Sequence, residues 1–205
     1  MADMSSPSIS VYGTALSGHT HRVELFLHLL QLPYRRIDAS SAVRQSAEYL
    51  QLNPLGQIPV LQDGELVLSD SNAILVYLTR RYAPGSGWLP EDPVGAAQVQ
   101  RWLSLAAGEI AFGPARARIS ARFYDTGMPP LLMRQLADKV LGFMDASLAK
   151  GGYLAGARPT LADVACYAYI AHAPEGGIAL DAYPNVLAWI ARVQALPHFV
   201  PMPEN

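Results

Sequence analysis

The sequence predicts an α/β unit followed by an all-helical unit. Strand and helix patterns alternate in the order β-α-β-α-β-β-α up to Tyr82, and only helical periodicity is found beyond residue 93. Between them lies Pro84–Pro93, in which five of the ten residues are Gly or Pro. Such a stretch is typical of a linker between domains. We therefore expect one domain over residues 1–83, a linker over 84–93 and a helical domain over 94–205.

The first unit begins with a β-α-β pattern. Ile9–Tyr12 alternates as a short strand does, and apolar residues within Val23–Leu30 recur at helical spacing. Tyr34–Asp38 predicts a second strand, which should run parallel to the first because a helix connects them. A second helix is predicted over Ala42–Leu50, and Asp63-Gly64 is a hairpin signal between two further strands. The last three elements are expected at Ile58–Gln62, Glu65–Leu68 and, for a closing helix, Ser71–Tyr82.

Four helical patterns fill the second unit. They are expected over Val94–Phe123, Pro130–Ala149, Leu161–His172 and Pro184–Leu196. The first contains Gly113-Pro114, and we expect that helix to bend there. Thr160 and Asp163 stand at the start of the third with the spacing of a capping box, which is a structural role.

The composition argues against several classes of protein. Of 205 residues, 51% are apolar and 16% are charged, so intrinsic disorder is not expected. The formal net charge of −2 argues against a nucleic-acid or anionic-membrane binder. The single cysteine, Cys166, permits no intrachain disulfide, and its apolar neighbours predict an inert core residue. Neither a secretory signal nor a membrane-spanning run is found, so we expect a cytoplasmic protein.

Five motifs follow one another along the chain. They are Ser17–Val23, Asn53–Leu61 followed by Asp63-Gly64, Asp70–Ile74, Leu154–Asp163 and Trp189–Phe199. Together they resemble the cytosolic glutathione S-transferase family, in particular its serine-type members such as the phi class. The resemblance implies a thioredoxin-like, glutathione-binding first domain and a cytoplasmic homodimer. It also implies conjugation of the glutathione thiolate to small apolar electrophiles, with no cofactor beyond glutathione as co-substrate.

Ser17 opens the first predicted helix, and the resemblance makes it the candidate catalytic residue. Only the thiolate is a competent nucleophile, and lowering a thiol pKa by about two units from about 8.5 requires roughly 2.7 kcal/mol. A hydrogen bond from the Ser17 hydroxyl to the anion contributes about 1.5–3 kcal/mol, and the positive end of the helix dipole adds to it. An ordinary helix N-cap is the alternative role for Ser17. Thr14 and Tyr12 are alternative donors.

The resemblance also assigns residues to the other parts of glutathione. Asp70 and Ser71, at the start of a predicted helix, would hold the γ-glutamyl amine and carboxylate, although most relatives have Glu at the position of Asp70. Gln57, Ile58 and Pro59 would recognise the cysteinyl backbone, with a cis bond between the last two. From the residues alone, the alternatives are an ordinary N-cap at Ser69 or Asp70 and a proline at the start of a strand at Pro59.

Arg44 and Gln45 stand where the phi class carries a His-Lys pair for the glycyl carboxylate. Their donors suit a carboxylate, and a solvated helix surface is the alternative for both. His19 and His21 have no third ligand nearby, so no metal site is expected. The intact motifs favour an enzyme, and the alternative is a non-catalytic binding or scaffold protein on the same fold.

Overall fold

A computed structural model describes residues 9–203. Residues 1–8, on which the expectation about a secretory signal depends, and residues 204–205 lie outside the described range. The described chain forms two compact units, one of residues 9–83 together with 197–203 and one of residues 84–196. The expected boundaries differ in two ways: residues 84–93 belong to the helical unit, and the residues after Leu196 belong to the first unit.

The first unit contains four strands and four helices. The strands are β1 (Ile9–Gly13), β2 (Tyr34–Asp38), β3 (Val60–Asp63) and β4 (Leu66–Ser69). The helices are α1 (Gly18–Leu29), α2 (Ser41–Arg44), α3 (Ala47–Leu52) and α4 (Ser71–Tyr82). The predicted single helix over Ala42–Leu50 is therefore wrong. Ser46 starts a new helix there, because its hydroxyl accepts a hydrogen bond from the Tyr49 N–H at 3.2 Å.

The four strands form one mixed sheet in the order β2-β1-β3-β4. β1 and β2 are parallel, as the β-α-β pattern predicts, whereas β1 with β3 and β3 with β4 are antiparallel. The predicted hairpin is present, but its two loop residues are Gly64 and Glu65, because Asp63 still pairs with Leu66. Gly64 has φ = 60°, which a type II′ turn requires at its first central position.

The pairing register brings one end of every strand to the same edge of the sheet, called here the site edge. β1 and β2 both end there, since Gly13 pairs with Asp38. β3 begins there, since Val60 pairs with Tyr12, and β4 ends there, since Ser69 pairs with Val60. The segments that follow β1, β2 and β4, and the segment that precedes β3, therefore all adjoin the site edge.

α1 is buried along most of its length, including polar side chains at Thr20, Arg22 and Glu24. It packs against β1 and α4. Gly13 allows this close approach, because a Cβ atom at Gly13 would lie 2.4 Å from the Thr20 side chain. A larger residue at Gly13 would therefore push α1 away from the sheet.

The second unit is helical. Its elements are α5 (Pro93–Ala107), a π-helical segment (Ala111–Ala115), α6 (Arg116–Arg122), α7 (Pro130–Leu148), α8 (Leu161–Ala171), a 3₁₀ turn (Ala173–Gly176) and α9 (Pro184–Gln194). The predicted bend at Gly113-Pro114 is the π-helical segment, where Pro114 supplies no N–H to the helix. Gly113 lies against α7, since a Cβ atom there would lie 2.7 Å from the Ala137 nitrogen. None of the helices within residues 9–203 is long and apolar enough to cross a membrane.

Asp163 organises the core of the helical unit. Its Oδ1 accepts hydrogen bonds from the Leu154 N–H at 3.0 Å and the Trp189 Nε1–H at 2.8 Å. Its Oδ2 accepts from the Thr160 N–H at 2.8 Å, which confirms the predicted capping box. Burial raises the pKa of Asp163, although these hydrogen bonds oppose the rise. Cys166 is buried in the same helix, in agreement with an inert core role.

Two arginines of α6 share one carboxylate in the helical unit. Glu175 Oε2 accepts from Arg118 Nε at 2.8 Å and from Arg122 Nη1 at 2.5 Å. The Arg118 side chain is only 2% exposed, so its charge requires compensation within the protein, and Glu175 contributes to it. Partial burial raises the pKa of Glu175, but the hydrogen bonds from Arg122 and Arg118 outweigh it and hold that pKa below its ordinary value.

We expect Glu175→Gln to lower the free energy of unfolding by about 2 kcal/mol at pH 7, because it replaces the carboxylate that Arg118 and Arg122 share by a neutral amide. A carboxylate whose pKa is lowered by folding stabilises the protein above its unfolded pKa of about 4.3 and loses that contribution as the pH falls. The difference from wild type should therefore shrink below about pH 4.3. Urea unfolding of both proteins across this pH range measures the difference in their free energies of unfolding.

Glu109→Gln is the matched control for Glu175→Gln. Glu109 pairs with Lys139 at 3.8 Å, and the Lys139 side chain is 73% exposed. An exposed pair of this kind contributes less than about 1 kcal/mol. Equal losses of stability in the two variants, or a Glu175→Gln loss that does not change with pH, would contradict the assigned role of Glu175.

Candidate functional site

The structure places every predicted site residue in the four segments that adjoin the site edge. Ser17 follows β1, and Arg44 and Gln45 follow β2. The other predicted residues precede β3 or follow β4, and they are Gln57, Ile58, Pro59, Asp70 and Ser71. Residues up to 54 positions apart in the sequence thus adjoin a single edge of the sheet, from Ser17 to Ser71.

Ser17 is the N-cap of α1. Its half-buried hydroxyl oxygen accepts a hydrogen bond from the Thr20 N–H at 3.3 Å, and its own N–H donates to the Thr14 carbonyl at 3.2 Å. The cap occupies the hydroxyl only as an acceptor, and a hydroxyl also carries one hydrogen to donate. The N-cap role and a donor role are therefore compatible in the same residue.

The two alternative donors differ in their surroundings. The Tyr12 hydroxyl donates to Gln62 Oε1 at 3.1 Å, and the Tyr12 ring packs edge-on against Tyr49 with 6.2 Å between centroids. The hydrogen of Tyr12 is thus already used within the sheet. Thr14 is half-buried in the turn between β1 and α1.

The start of α4 carries a strained residue and a buried serine. Asp70 has φ = 71°, which is uncommon for a residue other than glycine, and its Oδ1 caps α4 by accepting from the Ala73 N–H at 2.9 Å. Such a conformation costs about 1–3 kcal/mol and occurs most often at functional sites. Ser71 is 3% exposed, and its hydroxyl lies 3.4 Å from His19 Nδ1 on α1. The starts of α1 and α4 are therefore adjacent.

Arg22, on α1, links that helix to the start of α4. It is 1% exposed, and its Nη1 donates to Ser71 Oγ at 2.8 Å and to Asn72 Oδ1 at 2.9 Å. Because Ser71 Oγ accepts a hydrogen bond from Arg22, the Ser71 hydroxyl hydrogen is directed away from Arg22 and can be donated to another acceptor. Arg22 lies within the Ser17–Val23 motif but was not predicted as a site residue. Its position among the apolar residues of α1 was the available signal for a buried charge.

The loop before β3 is held by two residues that were not predicted to belong to the site. The Gln57 carbonyl accepts from the Tyr49 hydroxyl at 2.8 Å and from Asn53 Nδ2 at 2.9 Å. Burial raises the pKa of Tyr49 to about 12, so it remains a donor at neutral pH. The expected cis bond joins Ile58 and Pro59. Within the described chain, the N–H and C=O of Ile58 take no backbone partner.

A cavity of about 430 Å³ lies beside α2 in this first unit. It is lined by Ser41, Arg44, Gln45, Leu50, Pro54, Leu55 and Gly56. Arg44 Nε is buried and has no hydrogen-bond partner among the described residues. Gln45 is exposed and is the C-cap residue of α2. The cavity is thus lined by the Arg44 guanidinium, whose buried Nε–H donates no hydrogen bond within the described residues, and by the exposed amide of Gln45.

No group of three or more metal-binding side chains occurs within residues 9–203. His19 and His21 have other neighbours: His19 lies near Ser71, and His21 Nε2 is 2.9 Å from the Val200 carbonyl oxygen.

Family models match most of both units. The model for the glutathione S-transferase N-terminal domain matches residues 16–81, and that for the C-terminal domain matches residues 132–197. Glutathione S-transferase 3 of Zea mays is 34% identical over 206 residues, covering 93% of this chain and 91% of that protein.

Solved structures agree with the family models. The crystal structure of a glutathione S-transferase from Pseudomonas fluorescens matches with a TM-score of 0.88 and 35% identity, covering 96% of this chain and 99% of that one. A theta class enzyme from Xanthomonas axonopodis pv. citri, with glutathione bound, matches with a TM-score of 0.84 and 27% identity, covering 94% and 95%.

The α/β unit with its polar site edge and the helical unit that follows define the thioredoxin-like, two-unit architecture that the sequence predicts. The chain belongs to the glutathione S-transferase family. The family and the transferase class predicted from the motifs are thereby confirmed.

We expect Arg22→Met to lower the free energy of unfolding by about 3 kcal/mol, because it removes the donor to two buried oxygens while keeping the apolar volume. The amides of Ala73 and Ile74, in the first turn of α4, should then exchange with solvent faster. Urea unfolding and hydrogen exchange measure the two effects.

Arg22→Lys keeps the charge but loses the planar fork, so its stability should fall between wild type and Arg22→Met. Arg35→Met, at an exposed position on β2, is the control and should change stability by less than about 0.5 kcal/mol. An Arg22→Met protein with wild-type stability and unchanged exchange in α4 would show that Arg22 does not hold the helix start.

Proposed function

We propose that this chain is a serine-type glutathione transferase, in which Ser17 stabilises the glutathione thiolate and the residues at the site edge hold the tripeptide. The supporting observation is that Ser17, the Ile58 backbone, Ser71 and Arg44 all adjoin one edge of one sheet. Each of them offers a donor or an acceptor to a ligand lying along that edge.

The reaction begins with loss of the glutathione thiol proton to solvent. Ser17 donates its hydroxyl hydrogen to the resulting sulfur anion, and the first turn of α1 adds the positive end of its dipole. The thiolate sulfur then uses its electron pair to form a bond with the electrophilic carbon, and any leaving group departs with its bonding pair. Ser17 remains a hydrogen-bond donor throughout and forms no covalent intermediate.

The γ-glutamyl end is proposed to lie at the start of α4. The N-terminus of this twelve-residue helix attracts the carboxylate. The Ser71 hydroxyl donates to it, while the Asp70 oxygen that is not used for capping accepts from the ligand amine. Arg22 adds a buried positive charge beneath the carboxylate.

The cysteinyl part is proposed to pair with the backbone of Ile58. A peptide ligand can extend a sheet by pairing with backbone groups that have no partner in the protein. Gln57, fixed through its carbonyl by Tyr49 and Asn53, and Pro59 set the path of the loop. The ligand sulfur would then lie at the site edge, which Ser17 also adjoins.

The glycyl carboxylate is proposed to enter the cavity beside α2. The Arg44 guanidinium and the exposed Gln45 amide, which both line the cavity, are its donors. A carboxylate suits this cavity because a guanidinium donates two parallel hydrogen bonds to it.

The second substrate is proposed to be a small apolar electrophile, and the assembly a cytoplasmic homodimer. The helical unit exposes large apolar side chains, among them Phe112, Phe123 and Leu131, and such exposure is typical of binding or assembly surfaces. Retention on immobilised glutathione together with conjugation of an aryl halide would support the enzyme. Binding without turnover would instead favour a scaffold protein on this fold.

We expect Ser17→Ala to return the pKa of the bound thiol toward its solution value of about 8.5. Conjugation at pH 6.5 should fall about 10- to 100-fold, with little change in KM for glutathione, since two pKa units correspond to a factor of 100 in thiolate. The deficit should shrink as the pH rises past 8.5. The thiolate absorbance of the enzyme–glutathione complex, titrated with pH, measures the shift.

Ser17→Thr retains both the hydroxyl donor and the cap, so it is the matched control and should keep most of the activity. Tyr12→Phe and Thr14→Val test the alternative donors. A Ser17→Ala enzyme with an unchanged pH profile, together with a raised thiol pKa in Thr14→Val, would transfer the donor role to Thr14.

We expect Arg44→Met to raise KM for glutathione about tenfold or more, corresponding to the loss of one charged hydrogen bond of about 1.5–3 kcal/mol, with kcat nearly unchanged. γ-Glutamylcysteine, which lacks the glycyl residue, should bind wild type and Arg44→Met equally well. Arg35→Met controls for the loss of a surface charge. If Arg44→Met weakens the binding of glutathione and of γ-glutamylcysteine equally, Arg44 does not contact the glycyl carboxylate.

A further inference from the structure

The chain returns to the first unit after its last helix. Residues 197–203 belong to this unit, although the helical unit separates them in sequence from residue 83. Met202 is 4% exposed, so the segment buries an apolar anchor rather than lying loosely on the surface. His198 has φ = 64°, a left-handed conformation that persists in a residue other than glycine only where its surroundings fix it.

His21 is the polar anchor of this C-terminal segment. It lies on α1, is 2% exposed, and its Nε2 is 2.9 Å from the Val200 carbonyl oxygen. A carbonyl oxygen only accepts hydrogen bonds, so Nε2 carries the hydrogen in this contact. The contact joins residues 179 positions apart, and it requires the segment to follow one defined path over α1.

The same residue is bonded to Ser17 through its backbone. The His21 N–H donates to the Ser17 carbonyl at 2.8 Å, the hydrogen bond that closes the first turn of α1. His21 therefore holds the C-terminal segment with its side chain and the N-cap residue with its backbone. The His21 ring and the turn that carries the Ser17 hydroxyl thus belong to one connected set of hydrogen bonds.

We propose that His21 is a positioning residue, through which residues 197–203 clamp the first turn of α1 and fix the direction of the Ser17 hydroxyl. The inference rests on the proposed donor role of Ser17. A misplacement of about 1 Å near reacting groups costs up to about 100-fold in rate, so a clamp at this turn acts directly on the thiol. His21 acts on the thiol only through the turn that carries Ser17.

Three substitutions at His21 test the hydrogen bond itself. Gln places an amide N–H close to the position of the imidazole Nε2, whereas Asn is too short to reach the Val200 carbonyl and Leu carries no donor. We expect His21→Leu and His21→Asn to raise the bound thiol pKa by about one unit and to lower conjugation at pH 6.5 about tenfold. His21→Gln should restore most of both quantities.

Met202→Ala removes the buried side chain that anchors residues 197–203 and leaves His21 unchanged, so it tests whether the segment itself positions the turn. It should raise the bound thiol pKa in the same direction, because a loosened segment no longer fixes the ring. His28→Leu, at an exposed position on the same helix, is the control and should leave the thiol pKa unchanged. Measurements are made on full-length variants, with far-ultraviolet circular dichroism to compare their folding.

The outcomes separate this inference from the proposed function. If Ser17→Ala raises the thiol pKa but His21→Leu and Met202→Ala do not, the clamp is overturned and the donor role of Ser17 stands. If His21→Gln and His21→Asn are impaired equally, the hydrogen bond to Val200 does not carry the effect. If Ser17→Ala leaves the thiol pKa unchanged, the proposed donor role fails first.

Discussion

The pairing register of β1 is the constraint on which the site depends. β1 pairs with β2 on one side and with β3 on the other, and β3 in turn pairs with β4. Because side chains alternate across a sheet, a shift by one residue would move the buried Val11 to the other face and would displace the segments that adjoin the site edge. Burial of the core and assembly of the site are therefore enforced by the same set of backbone hydrogen bonds.

The polar residues at the site edge cap helices and still keep hydrogen-bonding groups available. Ser17 and Asp70 cap α1 and α4 through oxygen acceptors, which leaves a hydroxyl hydrogen at one helix start and a second carboxylate oxygen at the other. Both helix starts bring their positive ends to the region of Ser71 and His19. A ligand with a sulfur anion and a carboxylate suits this arrangement, since each anion then has a helix N-terminus and a hydroxyl group available.

Local patterns in the sequence were sufficient for the strands, the hairpin and most of the helices, because each depends on periodicity or on a turn residue. Local patterns failed where the role of a residue depends on its contacts in the folded protein. Ser46 is compatible with a helix interior but forms a cap, and Arg22 would ordinarily be solvent-exposed but is buried beneath Ser71. Tyr49 and the segment after Leu196 act through contacts that no periodicity reports. Three motifs, by contrast, supplied most of the predicted site residues, because Ser17–Val23, Asn53–Leu61 and Asp70–Ile74 lie in segments that adjoin the site edge.

The position of the single cysteine determines where the reactive sulfur comes from. Cys166 is buried within α8 of the helical unit, with its Sγ 3.9 Å from the Trp102 carbonyl oxygen. A thiol in apolar surroundings is a weak nucleophile, because burial disfavours the thiolate. Since the sequence contains no other cysteine, a thiol that reacts at the site edge has to arrive with the ligand. In the proposed mechanism the contribution of the protein is then electrostatic: a hydroxyl donor, a helix terminus and cations, arranged around a nucleophile that it does not itself provide.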